Sequence, residues 1–272
     1  MPPTNANVSD PHLDQVQAAL DAELERFVAN DPGRSVAVLT LDGPETRADI
    51  GGDTPRAAAS FVKVLLAIAL YEEAGRGRID LDQLVPRREL KDTMYPSILA
   101  AFADDRDLSV RELCAFTLIT SDNPAAEYLR GLVGDQPIRA TAEHLVLRAT
   151  RAEAGYGDDD LGDNSGNATT ANEALRVMLY VEQTSELREL RHFMVNGVRN
   201  QRIPLRLDDD IQVMHKTGSL ETVALDAGII YGHHRRIALA YFCDDQPDTV
   251  ITSLNIGDSA LRIHRLLDRP PQ

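Results

Sequence analysis

A serine and a lysine lie three residues apart at the start of a long apolar segment, in Ser60-Phe61-Val62-Lys63. Positions three apart on a helix share a face, so the lysine amine comes within reach of the serine hydroxyl. Apolar neighbours desolvate the amine, which lowers its pKa and lets it accept the hydroxyl proton; arginine keeps its proton and could not do this. The pair predicts a serine nucleophile with a lysine base, although an N-cap serine followed by a snorkelling lysine would fit the same letters.

Two further polar motifs follow this pair along the chain. Ser121-Asp122-Asn123 joins two predicted helices, and Lys216-Thr217-Gly218 precedes a predicted strand, where its side chains could line the edge of a cleft. Taken alone, the first could also be a helix-capping turn and the second could contain an ordinary edge-strand lysine. The chain has only three lysines against 25 arginines, however, and two of the three are Lys63 of the first motif and Lys216 of the last. Together the motifs indicate serine acyl-transfer chemistry.

Hydrophobic periodicity predicts the elements that position these motifs. Helices are expected from Ser9 to about Ala29, from Ser60 to Ala74 and from about Asp258 to Leu267, with capping signals for two more at Ser109 and at Asn123-Pro124. Strands are expected over Ser35–Leu41, near Arg47–Ile50, over Glu221–Tyr231 and over Arg235–Asp244.

The predicted strands come from both ends of the chain, whereas the middle is predicted to be helix and loop. We expect residues 1–51 and 211–272 to form an α/β domain, an antiparallel sheet flanked by the N- and C-terminal helices. Residues 52–210 would then be an inserted all-helical domain. The active site is expected in the cleft between the two domains.

The composition excludes several classes of function. The formal net charge is −15, so nucleic acid and anionic membranes would be repelled on average. No run of 18 apolar residues occurs, and the N-terminus lacks the basic and apolar regions of a signal peptide. We therefore expect no membrane partner and a cytoplasmic location, unless the sequence is a trimmed form of an exported protein. Cys114 and Cys243 are expected to be buried free thiols, with one structural disulfide as the alternative.

The three motifs together resemble those of the penicillin-recognising serine enzymes, and within them the class A β-lactamases. The similarity runs from about Ser35 to Leu267 and includes residues 108–114, the stretch Ala168-Thr169-Thr170 and the strand pair after Lys216-Thr217-Gly218. It implies the fold of that family, with an antiparallel sheet, terminal helices and an inserted helical domain. It also implies acyl chemistry on a serine.

The resemblance implies catalytic roles for five residues. Ser60 resembles the acylated nucleophile, and Lys63 resembles its general base. Ser121 looks like the relay that passes a proton to the leaving nitrogen. The backbone N–H groups of Ser60 and Ser219 would form the oxyanion hole. Glu153 is similar to the glutamate that hydrolyses the acyl-enzyme, since Arg151-Ala152-Glu153 fits the start of the loop that carries it.

The resemblance also implies a set of substrate-binding residues. Asn123 looks like a contact to the substrate amide, and Lys216 and Thr217 resemble the group that holds the substrate carboxylate. Arg202, fourteen residues before Lys216, matches an arginine that some members use beside that lysine. Tyr95 falls near the position of an aromatic residue at the mouth of the cleft.

Two positions depart from the class A pattern. The asparagine expected four residues after the glutamate is Gly157, and the acidic run Asp158-Asp159-Asp160 follows in a longer loop. Glu153 could therefore also be a surface residue. His215 precedes Lys216 where class A enzymes usually have an aspartate, and a histidine there is more similar to D,D-peptidases.

The resemblance implies hydrolysis of a β-lactam amide through a Ser60 acyl-enzyme, with no metal and no cofactor. The partner would be a small-molecule β-lactam or a related acyl or ester substrate, and we expect a monomer. Three alternatives use the same scaffold: a cytosolic biosynthetic esterase or acyltransferase, a D,D-peptidase, and a non-catalytic sensor of β-lactams or peptidoglycan. The first fits the missing signal peptide, and the second fits His215.

Overall fold

A five-stranded antiparallel sheet, built from the two ends of the chain, forms the centre of the molecule. The computed structural model describes residues 11–93, 95–156 and 166–270. The strands of this sheet are β1 (Arg34–Thr40), β2 (Arg47–Ile50), β8 (Gln212–Leu220), β9 (Val223–Tyr231) and β10 (Arg236–Cys243). Their order is β2-β1-β10-β9-β8, and all neighbours run antiparallel. Strand β8 therefore lies at an edge, where its outer side can face another part of the molecule.

The side chains of the sheet alternate between two hydrophobic cores, one on each face. Along β1, Val36 and Val38 belong to the core beneath the terminal helices, whereas Ala37 belongs to the core on the other side. The terminal helices are α1 (Pro11–Val28) and α8 (Thr249–Leu267), which pack against each other and against the sheet. This alternation is the pattern of a sheet covered on both faces.

The middle of the chain is mostly helical and covers the opposite face of the sheet. Its helices are α2 (Val62–Gly75), α3 (Val110–Ile119), α4 (Asn123–Val133), α5 (Asp135–His144), α6 (Ala171–Gln183) and α7 (Arg188–Val195). Every side chain of α2 from Val62 to Leu70 is buried. A helix without a polar face is stable only inside a core, and α2 packs against α3, α4, α5 and α6. The buried stretch includes Lys63.

The helical region also contains strands that the sequence analysis does not predict. These are β3 (Arg56–Ala57), β4 (Leu84–Pro86), β5 (Asp107–Ser109), β6 (Arg151–Ala152) and β7 (Asn167–Thr169). Each has only two or three residues, which is too short for an alternating pattern to be recognised. Strands β3, β7 and β6 form a small sheet. This sheet ties the segment before Ser60 to the start of the loop that carries Glu153.

Strand β8 and helix α8 differ from their predicted limits. Lys216-Thr217-Gly218 lies inside β8, although the motif was expected to precede a strand. The polar residues of the motif interrupt the apolar pattern that would have indicated a strand. Helix α8 begins at Thr249 rather than near Asp258, because the carboxylate of Asp248 accepts the N–H groups of Val250 and Ile251 and caps the helix there.

The other predicted helices are confirmed with small changes at their ends. Helix α1 is described from Pro11 to Val28, and Ser9 lies outside the described residues. The capping box at the start of α3 is present, with Ser109 and Glu112 bonding to each other's backbone. Helix α4 is capped by Asp122 rather than by Asn123, because Asp122 accepts the N–H of Ala125. The Asn123 side chain is therefore available for other contacts.

Both cysteines are free and buried, as expected, with Cys114 in α3 and Cys243 in β10. Burial raises the pKa of both thiols, to about 12 for Cys243, which keeps them protonated. Within the described ranges, no helix is long and apolar enough to cross a membrane.

Candidate active site

A cleft opens where strand β8 meets the start of α2 and the turn between α3 and α4. Six of the residues selected from the sequence line it: Ser60, Tyr95, Ser121, Asn123, Thr217 and Ser219. Lys63 and Lys216 are buried beside it and contact the Ser121 turn. Glu153 and Arg202 are not part of its described lining.

Ser60 lies in a tight turn at the entrance to α2. Ala59, Ser60 and Phe61 form one 3₁₀ turn that leads into the helix, and Ala59 has a left-handed φ of 41°. This conformation is costly for a residue other than glycine and is often found at functional sites. Gly218 of β8 lies so close that a Cβ there would come within 2.9 Å of the Ala59 side chain. The glycine therefore allows β8 to lie directly beside the residue that precedes Ser60.

Lys63 lies one helical turn after Ser60 and has no exposed surface. Its Nζ donates to the carbonyl of Ser121 at 2.8 Å and to Asn123 Oδ1 at 2.5 Å, and the carbonyl of Asp122 lies farther away at 3.5 Å. A neutral amine has two protons and one lone pair. The two short hydrogen bonds use both protons, so the lone pair remains available to accept a proton.

Burial lowers the pKa of Lys63 to about 7, because the charged amine loses its hydration. The carboxylates of Asp122 and Glu127 oppose this shift, whereas the positive charge of Arg199 adds to it. The ring of Tyr156 covers the amine, with its centroid 5.1 Å from Nζ. Near pH 7 a large fraction of Lys63 is neutral, which is the state that a general base requires.

Ser121 connects the two buried lysines. Lys63 donates to its carbonyl oxygen, and Lys216 Nζ donates to its hydroxyl oxygen at 2.9 Å. Ser121 has a left-handed φ of 61°, an uncommon conformation for a residue with a side chain. Because Lys216 occupies a lone pair of the hydroxyl oxygen, the hydroxyl hydrogen of Ser121 can be donated elsewhere. This is the arrangement that a proton relay needs.

Asp122 fixes the Ser121 turn to the mouth of the cleft. Its Oδ1 caps α4, and its Oδ2 accepts hydrogen bonds from Ser97 Oγ at 2.6 Å and from the N–H of Ile98 at 3.0 Å. Tyr95, just before this segment, is 42% exposed and lines the cleft. The buried carboxylate thus holds the rim that carries Tyr95 against the turn that carries Ser121.

Strand β8 supplies one wall of the cleft. Thr217 and Ser219 line it, and Lys216 is only 2% exposed, with its Nζ also donating to the Thr217 carbonyl at 2.7 Å. Burial and the neighbouring charge of Lys63 lower the pKa of Lys216 well below its usual value. The strand therefore presents its backbone and short side chains to the cleft, while its lysine points toward Ser121.

Arg202 lies behind strand β8 and is not part of the described lining of the cleft. It is buried, and its guanidinium donates to Ser253 Oγ, to the carbonyls of Gly218 and Leu225, and to Ser219 Oγ. Four of its five N–H groups are thus satisfied by the protein. Arg202 therefore holds β8 and the Ser219 side chain in place from behind, and its contact to substrate stays a prediction.

His215 belongs to a buried polar chain behind β8. Its Nδ1 donates to the carboxylate of Asp226 at 3.0 Å, and its Nε2 lies 3.1 Å from Asn200 Oδ1. Asp226 has no exposed surface and also accepts the N–H of Ile203 at 3.1 Å. The Cβ of His215 lies against Gly228 of the next strand, where an added Cβ would come within 2.6 Å of it. This histidine therefore links β8 to the segment around residue 200.

Glu153 is not part of the described lining of the cleft, and its role in deacylation stays a prediction. Its side chain is exposed, and its backbone N–H donates to the carbonyl of Gly166 at 2.8 Å. Arg130 holds this part of the loop by donating to the carbonyls of Ala152, Glu153 and Ala154. These bonds fix the backbone on both sides of Glu153. Gly157 and the acidic run after it lie outside the described residues.

Among the lining residues that were not selected from the sequence, four have polar side chains: Tyr156, Asn167, Arg199 and Gln201. Tyr156 is positioned by Glu127, whose Oε2 accepts its backbone N–H at 2.8 Å. All four lie outside the large helices and strands, where no periodic pattern marks a side chain as facing a site. Among the described residues, no cluster of histidine, cysteine, aspartate and glutamate could hold a metal ion.

The chain is similar to known β-lactamases in sequence and in fold. The profile of the β-lactamase enzyme family matches residues 19–265. β-Lactamase L2 of Stenotrophomonas maltophilia is 31% identical over 147 residues, which are 51% of this chain and 48% of L2. This chain thus spans about half the length of that curated relative.

Two solved structures show the same fold at low sequence identity. A class A β-lactamase from Bacteroides cellulosilyticus superposes with a TM-score of 0.82 at 21% identity, covering 93% of this chain and 98% of that one. PBP-A superposes with a TM-score of 0.76, also at 21% identity, covering 97% of this chain and 98% of that one. Because the family profile covers most of its length, the chain belongs to the β-lactamase enzyme family.

Proposed function

We propose that this protein is a serine hydrolase that opens β-lactam rings through an acyl-enzyme on Ser60. The observation that carries the proposal is the placement of two buried lysines on one serine, Ser121, in a cleft that Ser60 also lines. Lys63, with its pKa near 7, supplies a base. Ser121, held by Lys216, supplies an acid for the leaving group.

In the first step, Ser60 Oγ attacks the carbonyl carbon of the β-lactam, and Lys63 accepts the hydroxyl proton. The negative charge moves to the carbonyl oxygen, where the backbone N–H groups of Ser60 and Ser219 would stabilise it. The position of Ser219 on an edge strand supports this role, because the outer side of β8 has no neighbouring strand among the described residues.

In the second step, the bond between the carbonyl carbon and the ring nitrogen breaks. The Ser121 hydroxyl gives its proton to that nitrogen. The proton that Lys63 took from Ser60 then replaces the one that Ser121 has lost. Asn123 lines the cleft beside the relay and accepts a hydrogen bond from Lys63, so it orders the base and can contact the substrate amide. Water then hydrolyses the ester on Ser60, and the acid product leaves.

Hydrolysis of a chromogenic cephalosporin tests this proposal. The protein should turn over the compound, and Ser60→Ala should abolish turnover without changing the melting temperature. Ser185→Ala replaces an exposed serine away from the cleft and should have no effect. Full hydrolysis by Ser60→Ala would refute the assignment of the nucleophile.

A slowly deacylating enzyme of the D,D-peptidase or acyltransferase type, or a sensor, is the second candidate. The observation that favours it is the covering of Lys63 by Tyr156, together with the exposed position of Glu153. Such a protein would be acylated by penicillin as fast as a β-lactamase but would keep the adduct for minutes or longer. The lifetime of the adduct in a chase experiment separates the two functions.

A further inference from the structure

A second cavity lies beside the end of α2, whereas the cleft lies at the start of that helix. Its volume is about 390 Å³, which is within the usual range for small-molecule sites. The described linings of the cavity and of the cleft have no residue in common. Aromatic and acidic side chains line the cavity: Tyr71, His144, Tyr180, Glu72 and Glu186.

The last turns of three helices meet at this cavity. Its lining includes Gly75 at the end of α2, His144 at the end of α5, and Thr184, which directly follows α6. The C-terminus of a helix carries a partial negative charge of about half an elementary charge. A basic residue in the last turn can offset this charge, but neither α2 nor α6 has one there. The helix ends therefore favour a cation in the cavity.

Glu72 adds a formal negative charge to the wall of the cavity. Its carboxylate accepts hydrogen bonds from Thr141 Oγ1 at 2.9 Å and from the hydroxyl of Tyr180 at 3.2 Å. These neutral donors hold the carboxylate in place without cancelling its charge. Arg76 lies 3.6 Å from this carboxylate, but its guanidinium is closer to Glu73, at 2.9 Å. Arg76 therefore offsets the charge of Glu72 only in part.

The aromatic side chains suit the cavity to an organic cation. Tyr71 donates its hydroxyl to Glu189 at 2.5 Å, and Tyr180 donates its hydroxyl to Glu72. Donation to a carboxylate polarises a phenol and makes its ring richer in electrons. The ring of His144 packs edge-on against Tyr180, with the two centroids 5.9 Å apart. The face of an electron-rich ring attracts an ammonium group and its alkyl substituents.

We propose that this cavity binds a small organic cation with a substituted ammonium group, which contacts Glu72 and Tyr180. The carboxylate and the helix ends supply the negative charge, and the rings supply contact for the alkyl groups on nitrogen. The net charge of −15 also attracts cations to the protein as a whole. The inference does not depend on the proposed function, because the cavity is separate from the cleft.

Isothermal titration of the full chain with choline tests the proposal. The matched ligand is the neutral alcohol in which a carbon atom replaces the nitrogen of choline. We expect saturable binding of choline and much weaker binding of the alcohol. Tyr180→Leu should weaken the binding of choline by about 2- to 30-fold, the range for a lost cation–π contact. Tyr180→Phe keeps the ring and should bind choline nearly as tightly as the wild type.

Three charge variants test whether choline binds at this cavity. Glu72→Gln keeps the size of the side chain but removes its charge, and should weaken the binding of choline by about tenfold. Arg76→Gln removes the competing cation and should strengthen the binding. Glu25→Gln removes the same charge from an exposed position on α1, across the sheet, and should have no effect.

Two results would overturn the proposal. The first is that the wild type binds the neutral alcohol as tightly as choline, or binds neither compound. This comparison does not require any variant to fold. The second is that Glu72→Gln and Tyr180→Leu both bind choline with the affinity of the wild type, which would place the cation elsewhere.

Discussion

Lys216 Nζ lies 2.9 Å from Ser121 Oγ, so one hydrogen bond joins the edge strand of the sheet to the turn between α3 and α4. The same serine accepts a hydrogen bond from Lys63 through its carbonyl. The candidate base and the candidate acid are therefore parts of one network. The charge of Lys63 is also among the causes that lower the pKa of Lys216. A change in the protonation of one lysine will therefore shift the pKa of the other.

Acylation should depend on pH through Lys63. The base must be neutral, and its pKa is lowered to about 7, so the rate should fall below pH 7 and level off above it. The check is the second-order rate of acylation by a penicillin between pH 5 and 9. A rate that keeps rising up to pH 9 instead of levelling off would show that Lys63 is not the base.

The Tyr156 ring should help to keep Lys63 neutral. Tyr156→Ala admits water to the amine, and because desolvation is the largest cause of the lowered pKa, the pKa should rise. Acylation at pH 7 should slow by several-fold to about tenfold, since one pKa unit is a factor of ten. Tyr156→Phe keeps the ring and serves as the control. An unchanged pH profile of acylation in Tyr156→Ala would show that the ring does not contribute to the lowered pKa of Lys63.

Glu153→Gln should leave deacylation unchanged within about twofold, because surface substitutions without buried partners have small effects. The side chain is exposed, and the loop around it is held through backbone carbonyls by Arg130. The measurement is the rate at which a Ser60 adduct decays after excess penicillin is removed. A long-lived adduct in this variant alone would mean that the carboxylate does reach the acyl-enzyme.

Asp122→Ala should destabilise the fold by about 2–4 kcal/mol, since it removes a helix cap and two further hydrogen bonds to a buried carboxylate. Denaturant unfolding with an unchanged m-value would measure the loss. Ser97→Ala removes only one of these bonds and should cost about 1 kcal/mol. Equal stability of Asp122→Ala and the wild type would contradict the structural role of the carboxylate.

The sequence was sufficient to predict features in which a reactive residue lies within a periodic apolar segment. Ser60 and Lys63 open an apolar helix, and the burial of that helix is what lowers the pKa of the lysine. Strands β1, β9 and β10 could likewise be predicted from their apolar runs. These features depend on the periodic spacing of apolar residues and on the exclusion of water from a core. Both can be predicted from the residue types alone.

The sequence was insufficient where tertiary contacts decide the outcome. Arg202 and Arg199 are three residues apart, and only the fold places one behind β8 and the other on the cleft. Strand β8 was missed because its polar motif hides the strand pattern. Glu153 was assigned by its spacing, and the structure shows its side chain exposed on a loop whose backbone carbonyls accept hydrogen bonds from Arg130. Spacing cannot show which side of a loop faces a cleft.

The most direct test of the account is intact mass spectrometry after a brief exposure to benzylpenicillin, followed by peptide mapping. The account predicts a single adduct with the mass of the intact penicillin, located on Ser60 and absent in Ser60→Ala. A second adduct site would be compatible with the account only if Ser60 is modified before that site. An adduct on another residue with Ser60 unmodified, or hydrolysis by Ser60→Ala at the wild-type rate, would contradict the central claim.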